Sequence, residues 1–284
     1  MLNRDMMVDT QRVLALVKDL VATNSESPPG READVARVLR EHMESHGLGC
    51  TLVGSSSRPN LVFSTHDGEK GPLVLHGHMD TVPAGPRESW SHDPFGSEVE
   101  GGLLYGRGAC DMKGPLSALA ETMILYAESR HQTPLLMLAT SDEESGCSGA
   151  EEVAKSGILN QVRFGVCAEP TSLDVLVGEK GMLWTKIVAR GRAAHGSRPE
   201  QGVNAIRLCT DAIGVLDSDY YYEHDDMMGA PTFSLGMIQG GIKINVVPDR
   251  CEAWLDMRTV AGQDIESVME EMRAKLEAAS APPI

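Results

Sequence analysis

The 284-residue chain is short of positive charge: 25 Lys and Arg stand against 41 Asp and Glu, a formal net charge of −16. A surface of that sign repels phosphate backbones, so nucleic acid is not an expected partner, although local basic groups could still hold a carboxylate. The chain has no CxxC pair. Its six cysteines, Cys50, Cys110, Cys147, Cys167, Cys209 and Cys251, are scattered. That spacing fits reduced, mostly buried thiols in a cytoplasmic protein. No long uncharged apolar run occurs, and Arg4, Asp5 and Asp9 precede the first apolar stretch. Neither a signal peptide nor a membrane span is expected. There is no internal repeat or low-complexity tract. No glycine-rich phosphate loop follows the first strand, and Gly106-x-Gly108 is too short to serve as one, which sets a nucleotide-binding enzyme far behind other readings.

What is present describes a folded chain: 42% hydrophobic and 23% charged residues, enough to build a core. Asp9 or Thr10 caps a first helix, with Val13, Leu14, Leu16, Val17, Leu20 and Val21 at helical spacing. After a turn-rich break at 25–30, a second helix runs from about Glu32 to His46 and closes at Gly47. Strands are predicted over 61–64, 73–75, 135–139 and 164–168, the last of them buried, with helices over 116–126 and 149–155. The alternation predicts an α/β sheet with helices on both faces. Near Gly178 the pattern changes to strand 182–189, helix 203–216, strands 232–237 and 251–257, and helix 265–278. This is a split βαβ order lacking its final strand. One domain is expected over 1–178 and a second over 179–284, and the missing strand suggests a fragment or truncated product.

The residues with chemistry to offer lie mostly where strands end, which is where α/β proteins gather ligand groups. The apolar strand before His76-Gly77-His78-Met79-Asp80-Thr81-Val82-Pro83 leads straight into a His-x-Asp turn. His78 can offer a ring nitrogen to a metal while Asp80 accepts the other ring N–H; a solvated loop histidine is the plain alternative. His76 reads as a supporting residue. Asp111, in Gly106-Arg107-Gly108-Ala109-Cys110-Asp111-Met112-Lys113-Gly114, is either a helix N-cap or a carboxylate bridging two cations. Asp142-Glu143-Glu144 follows the 135–139 strand, and crowding three acids there calls for a cation or a hydrated loop. One glutamate can bind metal and the other move protons. Glu169 follows a fourth strand. Nitrogen and oxygen donors without clustered cysteines suit catalytic Zn, Co or Mn.

In order and spacing these runs resemble the metal-site motifs of the M20 family, the acetylornithine deacetylase, succinyl-diaminopimelate desuccinylase and carboxypeptidase G2 group. The likeness continues through Gly191 to Ile206, Gly240 to Asp249 and Asp256-Met257-Arg258. It implies a catalytic α/β/α domain with a mostly parallel or mixed sheet, and an inserted α+β, ferredoxin-like lid that forms a homodimer. It implies two divalent metal ions, with His78 and Glu169 on one, Asp111 bridging, and Glu144 on the second. Asp80 would orient His78, Glu143 would be the general acid/base, and the Asp111–Met112 peptide would be cis. His195 would stabilise the oxyanion in a partner subunit's site, with a locally bonded histidine as the alternative. Asn245 and Arg258 would hold the substrate carboxylate; a strand arginine in an ion pair is the alternative for Arg258.

The implied activity is hydrolysis of an amide in N-acyl amino acids or short peptides. The family's second metal also takes a histidine from a segment after the lid, and no histidine follows His224 here. The resemblance therefore leaves the second site with Asp111 and Glu144, and low metal occupancy and activity are expected of these 284 residues. The competing class is a non-catalytic homologue that dimerises and binds a carboxylated metabolite.

Overall fold

The computed structural model describes residues 7–65, 72–129, 133–217 and 224–280. The chain divides between Asp174 and Val175 into two compact units.

The first unit begins with helix α1 (Thr10–Ala22). The Asp9 carboxylate caps it, accepting the N–H groups of Gln11 and Arg12 at 3.0 and 3.1 Å. Then come α2 (Glu32–Ser45), β1 (Cys50–Gly54), β2 (Pro59–Ser64), β3 (Leu73–His78), the short hairpin of β4 (Glu98–Glu100) and β5 (Leu103–Tyr105), and α3 (Lys113–Glu128). Strand β6 (Leu135–Thr140), α4 (Ser148–Lys155) and β7 (Phe164–Cys167) complete the unit. The main sheet has the order β1-β2-β6-β3-β7. Its first two pairings are antiparallel, and β6, β3 and β7 run parallel, so the sheet is mixed.

Alternation along the strands sorts the core into two layers. Leu61, Phe63, Leu135, Met137 and Ala139 pack with Leu16, Leu20, Leu39, Leu116 and Met123 of α1, α2 and α3. Val62, Leu136 and Leu138 point the other way and pack with Val74 and Val153 of α4. Helices thus cover both faces, as the strand and helix alternation predicts.

The second unit comprises β8 (Gly181–Arg190), β9 (Ala194–His195), α5 (Ala205–Asp217), β10 (Thr232–Gly240), β11 (Val246–Val247), β12 (Arg250–Thr259) and α6 (Ile265–Ser280). Its antiparallel sheet has the order β10-β12-β8, with a bulge between Leu235 and Met237. Every second residue of β12, from Cys251 through Ala253 and Leu255 to Met257, is buried on the side that carries α5 and α6. Among the described residues no helix is long and apolar enough to cross a membrane.

Two expectations need correction, and strand β1 was not among the predicted elements. The 164–168 segment is a strand, but not a buried one: among the described residues β7 pairs only with β3, at the sheet edge, and Phe164 and Val166 are exposed. The six cysteines are unbridged, but only Cys209 and Cys251 are buried; Cys110, Cys147 and Cys167 are exposed because they lie on loops and on that edge strand. Strand β1 escaped the sequence reading because its burial does not alternate.

Candidate metal centre

The register of the parallel strands builds the site. His78 on β3 is paired with Thr140 on β6, so the strand end carrying the imidazole lies beside the start of Ser141-Asp142-Glu143-Glu144. On the other side His76 is paired with Cys167, and two residues on from that pair the chain reaches His78 and Glu169. Asp111 comes from the loop before α3. It does not cap that helix: the N-cap position is Met112, with no side-chain cap bond. The Asp111–Met112 peptide is cis, as the resemblance implies.

The side chains meet around one imidazole. His78 is 1% exposed, and its Nε2 lies 3.3 Å from Asp111 Oδ1, 3.7 Å from Glu169 Oε1 and 3.9 Å from Glu143 Oε2. His78, Asp111 and Glu169 each offer a ligand atom within 4.8 Å of the others, and so do His78, Glu143 and Glu144. Five of the residues singled out in the sequence therefore share one end of one sheet.

Asp80 meets both His78 and the acidic turn. The hydrogen bond from His78 Nδ1 goes to the Asp80 backbone carbonyl at 3.0 Å, while the carboxylate Oδ1 is 3.6 Å away. The two carboxylate oxygens instead accept the backbone N–H groups of Glu143 and Glu144, both at 3.1 Å. A carboxylate is a better acceptor for two converging N–H groups than a carbonyl is, and the carbonyl suffices to set the tautomer. Asp80 thus turns Nε2 toward the acids and also fixes the turn that presents Glu143 and Glu144. Ser25 Oγ donates to Met79 O, and Thr81 N–H to Ser25 O, which holds this loop from outside.

His76 is a supporting residue. Its ring contacts Thr140 Oγ1 and Cys167 Sγ, and burial pushes its pKa down to about 4. At His78 burial opposes the charged ring, but Asp80, Glu169 and Glu143 outweigh it and raise the pKa to about 9. Burial and then Asp111 raise the carboxyl pKa values of Glu144 and Glu169, with His78 acting in the opposite sense. Acids crowded around one imidazole, on a rim half open to solvent, could hold a divalent ion, and the residues fit such ions.

The sequence reading missed the residues behind the acidic turn. Asp142 points away from the imidazole, to Arg58 Nη2 at 2.8 Å and to the Ser148 hydroxyl. Arg58 also clasps the fully buried Glu32. One arginine thus compensates one of the three crowded acids. The available signal was the polar Arg58-Pro59-Asn60 run opening an apolar strand.

In the second unit, His195 on β9 is paired with Val246 on β11, and Gly196 N–H donates to Asn245 O at 2.8 Å. His195 and Asn245 are therefore neighbours. Ser197 N–H donates to His195 Nδ1 at 3.2 Å. In the neutral ring this leaves the proton on Nε2, ready to donate. Arg258 is elsewhere: eight residues along β12 from Arg250, it is about 26 Å from the β11 end of that strand. Its guanidinium forms two bonds to Asp256, at 2.9 and 3.1 Å, which is the ion-pair alternative.

Residues 177–282 match the Peptidase dimerisation domain and residues 60–169 match Peptidase family M28. A succinyl-diaminopimelate desuccinylase of Xanthomonas campestris pv. campestris is 30% identical over 279 residues, covering 94% of this chain and 73% of the relative. The fold is similar to an M20 family metallo-carboxypeptidase of Sulfolobus solfataricus, with a TM-score of 0.82 at 20% identity over 96% of this chain and 76% of that one. It is also similar to the YXEP protein of Bacillus subtilis, described as a dinuclear metal binding peptidase of the M20 family, with a TM-score of 0.68 at 20% identity over 95% and 69%. The chain belongs to the M20 family of metallopeptidases and amidohydrolases, and is an enzyme of that hydrolytic class.

Proposed function

We propose that the chain hydrolyses the amide bond of N-acyl amino acids or short peptides with two divalent ions, zinc foremost and cobalt or manganese as substitutes. The observation that carries this reading is the approach of Asp111, Glu143 and Glu169 to within 4 Å of one buried imidazole nitrogen. His78 and Glu169 would hold one ion, Asp111 would bridge, and Glu144 would hold the other. The Xanthomonas relative, named as a desuccinylase, supports the N-acyl class.

Bound ions would supply an acidified water and polarisation of the scissile carbonyl. Glu143 takes the proton of the attacking water and delivers it to the departing amine. His195, with its Nε2 proton fixed by Ser197, donates to the tetrahedral oxyanion in a partner subunit's site. Arg258 binds the substrate carboxylate, exchanging Asp256 for substrate as it does so, and Asn245, beside His195, reaches the carboxylate in a partner subunit's site. The dimerisation-domain match supports a homodimer, and the six unbridged cysteines support a cytoplasmic setting.

Metal titration paired with an amide-hydrolysis assay tests this. Metal-dependent release of an amine from an N-succinyl amino acid is expected. A chain that binds no metal and hydrolyses nothing would favour the non-catalytic carboxylate-binding alternative.

A further inference from the structure

Three successive residues at the start of β2 grip the turn that carries the acids. The Arg58 guanidinium donates from Nε and Nη2 to Glu32, with a shortest contact of 2.6 Å, and from Nη2 to Asp142 Oδ1 at 2.8 Å and Ser27 Oγ at 3.2 Å. The Pro59 carbonyl accepts the Ser141 hydroxyl at 2.7 Å. The buried Asn60 accepts Ser141 N–H at 2.9 Å and donates to Val53 O and Glu152. Glu32 Oε1 also accepts Asp142 N–H at 3.2 Å, and Ser27 Oγ lies 2.9 Å from Ser145 Oγ at the far end of the turn. Space is kept for the guanidinium: Gly30, at φ +85°, would place a Cβ 2.8 Å from Arg58 Nε.

We infer that Arg58 is a positioning residue for Glu143 and Glu144. It acts through Asp142, which its planar fork ties to the buried Glu32. The turn needs such an anchor because Asp142 sits at φ +68° and is followed by two more acids. Without a fixed Asp142, mutual repulsion would swing the acids apart. A lysine keeps the charge but has no fork with which to bridge Glu32 and Asp142. The His78–Asp111–Glu169 donors come from other segments and do not depend on this grip.

This inference rests on the proposed two-ion site, and the test separates the two. Co2+ alone is titrated into the unsubstituted chain, Arg58→Lys and Arg58→Gln, read by visible absorption, with thermal unfolding alongside. In both variants the second Co2+ equivalent is expected to weaken about tenfold or more, with the first within about twofold. If Arg58→Gln does not fold, Arg58→Lys gives the answer alone. Both equivalents unchanged, or both weakened in proportion to lost thermal stability, would overturn the positioning role while leaving the metal site standing. An unsubstituted chain that takes up no Co2+ would overturn the site and this inference with it.

Discussion

At the residue scale the account separates proton transfer from metal binding. Glu143 and Glu144 are adjacent, yet Glu143 comes within 3.9 Å of His78 Nε2, while Glu144 Oε1 accepts Val82 N–H at 3.3 Å. Glu143→Ala should retain nearly full metal uptake and lose measurable turnover; near-normal turnover would remove Glu143 from its role. His195→Ala should lower kcat by about 10²-fold, the usual cost of an oxyanion donor, with metal content unchanged. Steady-state kinetics with metal analysis reads both. The sequence showed these residues well, because a strand that ends in an acid or a histidine is visible as a run. It did not show which atom of a residue acts. The Asp80 carbonyl is the nearer partner of His78 Nδ1, at 3.0 Å, while the Asp80 carboxylate also accepts two backbone N–H groups from 63 and 64 positions away. Nor did it show that Arg58 compensates Asp142, because the pair is brought together by strand order alone.

Among the elements, the helices were legible because their caps and apolar spacing are local, whereas strand partners were not. Strand β7 reads as a core strand by composition, yet among the described residues it has a partner on one side only. The attachment of α1 to α3 is also long-range: Glu121 accepts the Arg12 guanidinium at 2.5 and 2.8 Å and Asp9 N–H at 2.9 Å. Burial works to raise the Glu121 pKa, but Arg12 and the Asp9 N–H outweigh it and hold the value below the usual one. A lowered folded value contributes stability above the ordinary glutamate pKa of about 4.3, and that contribution is lost as pH falls through the folded value. Glu121→Gln should therefore cost about 2 kcal/mol in urea unfolding at pH 7 and much less at pH 3. Equal costs at both pH values would contradict the ion pair's part. Close packing of α4 gives a second element-scale expectation. A Cβ at Gly149 would lie 2.3 Å from Asn60 Oδ1 and from Ser141 O, so Gly149→Ala should destabilise by about 1–3 kcal/mol in the same assay.

At the scale of the whole molecule, the second unit presents an apolar surface. On the sheet face opposite α5 and α6, Met182, Trp184 and Met237 are exposed. Sedimentation equilibrium is expected to give a dimer mass, and a monomer at all concentrations would contradict the homodimer. In the proposed centre, five side chains from four segments meet at one end of one sheet, where they could hold divalent ions. Isothermal titration of Zn2+ into the chain and into His78→Ala tests it most directly. The account predicts one tight equivalent and one weaker one in the unsubstituted chain, and loss of the tight one in His78→Ala with the fold retained. Equal Zn2+ binding by the two proteins would contradict it.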